Sequence, residues 1–202
     1  MSLPRWSASS IPVENIHDAL YLAYQQFSAT GRVLNVGVGA DPVGFGDNVV
    51  HLDIDRWLHS WFVQADAHNL PFKGDAFDTV VMGDILEHLE SPVQALREAH
   101  RVAPKLVITI FEEWRFGGVG QYIEKSLECF PTIGLEDTPT LLERFPEERC
   151  SHARHINQFD NETVENLLEE AGWRVTKMAK VPSGTHEGHV MWNWLITAVR
   201  RG

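Results

Sequence analysis

Residues 33–41 read VLNVGVGAD. The run from Val33 to Val36 is short and apolar apart from Asn35, and glycine bounds it, as expected of a strand buried on both faces of a parallel sheet. Gly37 and Gly39 follow, one residue apart. Residues without side chains at a strand end let the backbone turn tightly and let a ligand approach it closely. A third glycine would complete a dinucleotide-binding turn, and Asp41 stands in its place. The stretch predicts a strand that ends at a ligand-binding edge, with an altered turn beyond it.

Further apolar runs extend the pattern on either side. NVVHLDI, WFVQAD, FDTVVMG and KLVITIF read as a second to a fifth strand, and WRVTKMAKV and VMWNWLITAV close the chain as two more. Helical periodicity marks residues 13–29, then SPVQALREAHRV, with Ser91 as N-cap and Pro92 at the first helical position. It returns in DNETVENLLEEAG, with Asp160 as cap and Gly172 at the end. Strands alternating with helices predict an α/β fold, a mostly parallel sheet with helices on both faces. The last two strands are separated only by PSGTHEGH, too short for a crossover helix, so they are expected as antiparallel neighbours. Pro42, Gly44 and Gly46 in ADPVGFGDN reduce the connection after the first strand to a turn. One domain is expected over residues 1–202. Within it, residues 112–158 form a helical insertion after the fifth strand, of a length that suits a lid or substrate-binding element.

Composition narrows the classes. The chain of 202 residues is 44% apolar and 22% charged, with a net charge of −11. An acidic surface repels phosphate backbones, so nucleic acid is not an expected partner. No apolar run approaches a bilayer span, and no basic segment followed by an apolar one suggests secretion, so neither membrane nor export is expected. Cys129 and Cys150 are too few and too isolated for a disulfide framework, which points to a reducing, cytoplasmic setting. His186 and His189 are too few for a metal site, and none is expected.

In open parallel sheets, ligands bind beyond the carboxyl ends of the strands. Asp53 ends the second strand, where a carboxylate can accept hydrogen bonds from both ribose hydroxyls of a nucleoside; Asp55, two residues on, is its rival. Asp66 follows the third strand, where it can accept from an exocyclic adenine amine while the Ala67 amide donates to the ring. Asp84 follows the fourth strand at the same edge.

The ordered series VLNVGVG, HLDID, ADAHNLPFKGDAFDTVV, LEHLESPVQALREAHRVAPKLVITI and HINQFDNETVENLLEEAGWRV resembles the class I S-adenosylmethionine-dependent methyltransferases, type 11-like subgroup. The resemblance covers most of residues 31–178. It implies a Rossmann-like, doubly wound, seven-stranded sheet whose last strand is antiparallel, and S-adenosyl-L-methionine as cofactor. It implies that Gly37 and Gly39 face the amino acid part of that cofactor, that Asp53 binds the ribose, that Asp66 and Ala67 contact the adenine, and that Asp84 lies near the methionyl end. The family's first-strand acid, which helps hold the cofactor ammonium, is Asn35 here, and Asp41 is the candidate to supply the missing charge.

The expected activity is methyl transfer to a small-molecule or glycan acceptor. The acceptor side offers His152 and His155 as candidate catalytic bases, because imidazole titrates near neutrality. Capping of the following helix is the alternative for both. Glu112, Glu113, Trp114 and Arg115 can line an acceptor pocket, whereas Trp57 and Trp61 are expected to pack. A different class, a non-catalytic nucleoside-binding regulatory or scaffold module, is favoured by Asn35 and Asp41. A nicotinamide-dependent oxidoreductase is disfavoured because residues 37–42 read GVGADP and lack the last glycine.

Overall fold

A computed structural model describes residues 30–39, 48–111, 157, 159, 161–186 and 189–201. Its strands are β1 (Val33–Val36), β2 (Val49–Asp53), β3 (Phe62–Gln64), β4 (Thr79–Gly83), β5 (Lys105–Phe111), β6 (Trp173–His186) and β7 (His189–Arg200). The described helices are α1 (Pro92–Val102) and α2 (Asn161–Glu170), with a 3-10 turn at Leu86–His88. One seven-stranded sheet has the order β3-β2-β1-β4-β5-β7-β6. Every pairing among β1 to β5 is parallel, and β7 runs antiparallel to both β5 and β6. This is the mostly parallel sheet with an antiparallel last strand that the alternation of elements and the family resemblance implied. Strand order reverses between β1 and β4, and the crevice beyond their carboxyl ends is where open sheets of this kind hold ligands. The helix expected over residues 13–29, Asp160, both cysteines and, apart from Asn157, the 112–158 insertion lie outside the described residues.

The two faces of the sheet differ in chemistry. Leu34, Val36, Val80, Met82, Leu106, Ile108, Ile110, Ile196 and Ala198 alternate along their strands and join one apolar core with Leu96 and Ala99 of α1 and Val164 and Leu168 of α2. The other face is buried too, through Val33, Val81, Val107 and Leu195. It carries the buried polar residues of the strands, Asn35, Thr79, Thr109, Asn193 and Thr197. Burial on both faces explains why β1, β4 and β5 read as near-continuous apolar runs.

Helix α1 buries Ala95, Leu96, Ala99 and Val102, a single stripe at helical spacing. Ser91 takes the N-cap position before Pro92, but its hydroxyl makes no capping bond. Its N–H instead donates to His68 Nε2 at 3.2 Å. Helix α2 ends as expected at Gly172, whose φ of +90° favours a residue without a side chain. The next residue, Trp173, is 1% exposed and donates from Nε1 to the Leu96 carbonyl at 3.0 Å, which fastens β6 to α1.

The terminal hairpin is longer than the sequence pattern suggested. PSGTHEGH is not simply a connecting loop, because β6 continues to His186, paired with His189 of β7. The register shifts once at Val175/Lys177 and again at Pro182/Gly184, and the second shift adjoins the proline, which has no N–H to give to the ladder. Among the described residues, no helix is long and apolar enough to cross a membrane.

One ion-paired cluster docks the segment after β3 onto α1. Glu98 accepts from the Leu70 N–H at 2.9 Å and from Arg101 Nη2 at 2.7 Å, while Arg101 donates to the carbonyls of Leu70 and Phe72 at 2.9 and 2.6 Å. The Arg101 hydrogen bond, aided by the Leu70 N–H and opposed by burial, holds the Glu98 carboxyl below the usual glutamate range. A lowered folded value means that the contribution to stability is whole above the ordinary glutamate pKa of about 4.3 and fades as pH falls towards the folded value. Glu98→Ala should cost about 1–3 kcal/mol at pH 7, and the gap between variant and wild type in urea melts should shrink below about pH 4. A gap that is constant with pH would contradict the assignment.

Candidate functional site

The glycine turn after β1 is held to the end of β2 by backbone and side chain together. The N–H groups of Gly37 and Val38 both donate to the Leu52 carbonyl, at 2.8 and 3.3 Å. The Gly39 N–H donates to Asp53 Oδ2 at 2.9 Å, and the other carboxylate oxygen accepts the Asp55 N–H at 3.0 Å. The Gly39 carbonyl lies 2.9 Å from His59 Nε2, an arrangement that puts the ring proton on Nε2. Asp53 thus ties Gly39 and Asp55 together. Each of its oxygens still has a lone pair to offer, enough for a diol.

The two glycines do different work. Both have positive φ, +73° at Gly37 and +59° at Gly39. A Cβ on Gly37 would sit 2.3 Å from Ile85 Cδ1 and 3.0 Å from Ile85 Cβ, so this glycine lets the loops after β1 and β4 pack together. A Cβ on Gly39 would meet no atom of the described residues within 4 Å. Among the described residues, the uncrowded side of the turn is at Gly39, beside the Asp53 carboxylate.

Asn35 is buried on β1 opposite His51 of β2, with Nδ2 3.5 Å from His51 Nδ1. Burial, reinforced by the neighbouring His59, pushes the His51 pKa down and keeps the ring neutral at neutral pH. Asp66, after β3, is exposed, and Ala67 beside it is buried. Asp66 Oδ1 accepts from the backbone N–H and Nδ1 of His68, at 2.8 and 2.7 Å. Burial alone would raise its pKa, but the two hydrogen bonds and the charge of His68 outweigh it and leave it lowered.

Asp84, after β4, has φ +48°, in the region that non-glycine residues rarely adopt. Its N–H donates to both the carbonyl and Oγ1 of Thr109, each at 3.1 Å. Its Oδ1 accepts from Asn193 Nδ2 of β7 at 2.5 Å. Asn157 holds the 3-10 turn that follows Asp84. Its Nδ2 donates to the Leu86 and Leu89 carbonyls at 3.2 and 2.6 Å, and its N–H to the Glu87 carbonyl at 3.0 Å.

A methyltransferase-domain family model matches residues 36–108, from the end of β1 into β5. A ubiquinone/menaquinone biosynthesis C-methyltransferase, UbiE, of Hahella chejuensis is 28% identical over 159 residues, covering 77% of this chain. This chain spans about 62% of that relative's length. The enzyme of the same name from Burkholderia mallei is 26% identical, covering 85% of this chain and 79% of its own. Among solved structures, a Bacillus halodurans protein described as a methyltransferase superposes with a TM-score of 0.62 at 17% identity, covering 90% of this chain and 99% of that one. This last likeness speaks for the fold.

Each comparison thus returns methyltransferases, the family that the sequence resembles.

The positions that the family pattern assigns to the cofactor lie at successive strand ends along one sheet edge. Asn35, Gly37 and Gly39 lie in or after β1, Asp53 ends β2, Asp66 and Ala67 follow β3, and Asp84 follows β4. Asp55 turns its N–H onto Asp53. Asp41, His152, His155 and Glu112 to Arg115 lie outside the described residues. Trp61 is 75% exposed with φ +56°, so it does not pack as expected: its carbonyl accepts the His51 N–H, and the backbone turn this requires turns the ring outward. Trp57 stacks near His59, with ring centroids 6.4 Å apart. Residue pattern alone missed His59, Thr109, Asn157 and Asn193, since each acts on a partner distant in sequence.

The glycines and Asp53 separate by experiment. Gly37→Ala should destabilise the protein by about 1–3 kcal/mol, from a left-handed backbone and a displaced Ile85. Gly39→Ala should cost only about 1–2 kcal/mol, the backbone part alone, yet weaken ligand binding strongly. Sequence alone makes Asp53→Ala a change in binding only. The two backbone N–H groups it would strand argue for an added stability loss of about 1–3 kcal/mol, read by thermal melts and cofactor titration together.

Proposed function

We propose that the protein transfers a methyl group from S-adenosylmethionine to a small-molecule or glycan acceptor. The observation that carries this reading is the Asp53 carboxylate bound at 2.9 Å to the Gly39 N–H, which no described side chain crowds, where the strand order reverses. Those features fit a nucleoside with an amino acid tail. Asp53 would receive the ribose hydroxyls, Asp66 and Ala67 the adenine, and the turn with Asn35, Gly37, Gly39 and Asp41 the amino acid part. Asp84 would lie at the methionyl end. The cofactor supplies an electrophilic methyl on a sulfonium, so the acceptor's electron pair forms the new bond as the carbon–sulfur pair returns to sulfur.

What the protein adds is alignment and exclusion of water. His152 or His155 would take the acceptor's proton where the acceptor is a hydroxyl, and residues 112–158 would cover the site within one domain of residues 1–202. The similarity to C-methyltransferases of ubiquinone and menaquinone biosynthesis favours a small organic acceptor over a glycan. A reducing cytoplasm suits a chain with two isolated cysteines.

A second reading, a non-catalytic nucleoside-binding regulatory or scaffold module, draws on Asn35, a neutral residue buried beside a neutral histidine where the family carries an acid. Calorimetry and a broad acceptor screen with labelled cofactor separate the two. Binding with label transfer supports the enzyme, and binding without transfer across the screen supports the module. No binding of either S-adenosylmethionine or S-adenosylhomocysteine contradicts both. Asp41→Asn should weaken S-adenosylmethionine by about tenfold or more if Asp41 supplies the ammonium's countercharge.

A further inference from the structure

We infer that Asn193 is a positioning residue that orients the Asp84 carboxylate and so sets the preference of the site for a cationic sulfonium over its neutral thioether product. The inference rests on the methyltransferase reading above and concerns a residue that the family pattern does not assign.

Asn193 lies on β7 in register with Phe111, the last residue of β5, and so at the same carboxyl edge where β4 ends. It is 0% exposed, whereas Asp84 is exposed. Its Nδ2 reaches Asp84 Oδ1 at 2.5 Å, across 109 residues of sequence. Thr109, fully buried, fixes the other end of Asp84 by taking its N–H at both the carbonyl and Oγ1. With the backbone held at φ +48° by one neighbour and a carboxylate oxygen held by another, Asp84 has little freedom left.

The orientation of the Asn193 amide follows from charge. Turning it over would set the carbonyl oxygen against the carboxylate. The orientation with Nδ2 towards Asp84 nevertheless leaves Oδ1 buried with no hydrogen-bond partner among the described residues. Native interiors rarely tolerate a buried acceptor without a donor. An apolar side chain would fill this position more cheaply, so the Asp84 bond is the feature that explains an asparagine here. A carboxylate held in this way interacts more strongly with a ligand carrying a formal positive charge than with a neutral one, because the sulfonium differs from the thioether by that charge and a methyl group.

The test compares the dissociation constants of S-adenosylmethionine and S-adenosylhomocysteine for wild type, Asn193→Leu, Asp84→Asn and the double variant. Asn193→Leu should lower the preference for the sulfonium by roughly fivefold to tenfold, the scale of a charge-assisted contact, while S-adenosylhomocysteine binding stays within about twofold. Asp84→Asn should lose the same preference, and the double variant should lose no more than either single one, because Asn193 acts through Asp84. Asn193→Ser, still polar and smaller, reads the same loss should the leucine variant fail to fold. A wild-type ratio in Asn193→Leu or in Asp84→Asn overturns the inference. Equal weakening of both ligands also overturns it, since that marks a purely structural role. A wild-type protein that binds neither ligand overturns the proposed function and this inference with it.

Discussion

The Asp53 carboxylate is the point at which the end of the sheet becomes a site. It accepts one N–H from the turn after β1 and one from its own strand end, and the His59 ring holds the same glycine from its carbonyl side. The turn is therefore clamped on β2 by several bonds. On its other flank it meets Ile85, and only the missing side chain of Gly37 allows that approach. The end of β1 is pinned to one neighbour by hydrogen bonds and to the other by steric fit. A turn fixed this way keeps its backbone groups in place before any ligand arrives, which lowers the ordering cost of binding.

The chemistry of the two sheet faces supports the same division. The face against α1 and α2 is purely apolar and contributes cohesion. The opposite face carries Asn35, Thr79, Thr109, Asn193 and Thr197 in the interior of strands. Buried polar groups are costly unless bonded, and most of these have found specific partners. Thr79 donates to the Thr30 carbonyl at 3.0 Å, Thr197 shares a hydrogen bond with Thr176 at 2.8 Å, and Thr109 and Asn193 both hold Asp84. In each pair with Asp84, a strand interior fixes a loop residue, so the rigidity of the sheet passes to the edge where the chemistry would occur.

The fold was legible because its signals are local. VLNV, TVVMG and KLVITIF carry the near-continuous apolar character of doubly buried strands, and Pro92 and Gly172 mark helix ends by their own backbone preferences. The extent of the last hairpin was less legible, because Pro182 and Gly184 look like loop residues until the pairing partner is known. The acids at the strand ends could be named from their positions, but not what they bind within the protein. That Asp84 meets Asn193, that Gly39 meets His59, and that Asn157 ties down the 3-10 turn are facts about pairs 109, 20 and about 70 residues apart, and no periodicity encodes them. The same holds for Trp61, whose exposure follows from a backbone turn that a tryptophan does not announce.

Asn35 shows how one local constraint can redistribute the charge of a binding site. Its side chain is buried, and its described neighbour is a histidine whose pKa burial has pushed down. A carboxylate there would face a neutral ring in a poorly solvated position. It would either draw a proton onto His51, whose added charge would oppose a cationic ligand, or remain a buried charge awaiting one. An amide avoids both outcomes and keeps hydrogen-bonding capacity. On the proposed reading, the countercharge for a cationic ligand would come from loop carboxylates beyond the strand ends, among them Asp84, where solvation of the charged group is cheaper. The consequence is a softer electrostatic grip, because exposed charges are screened by salt to a degree that buried ones are not. In such a site, how well the loop carboxylates are oriented matters more than how deeply they are buried, and the buried Asn193 beneath an exposed Asp84 answers that need.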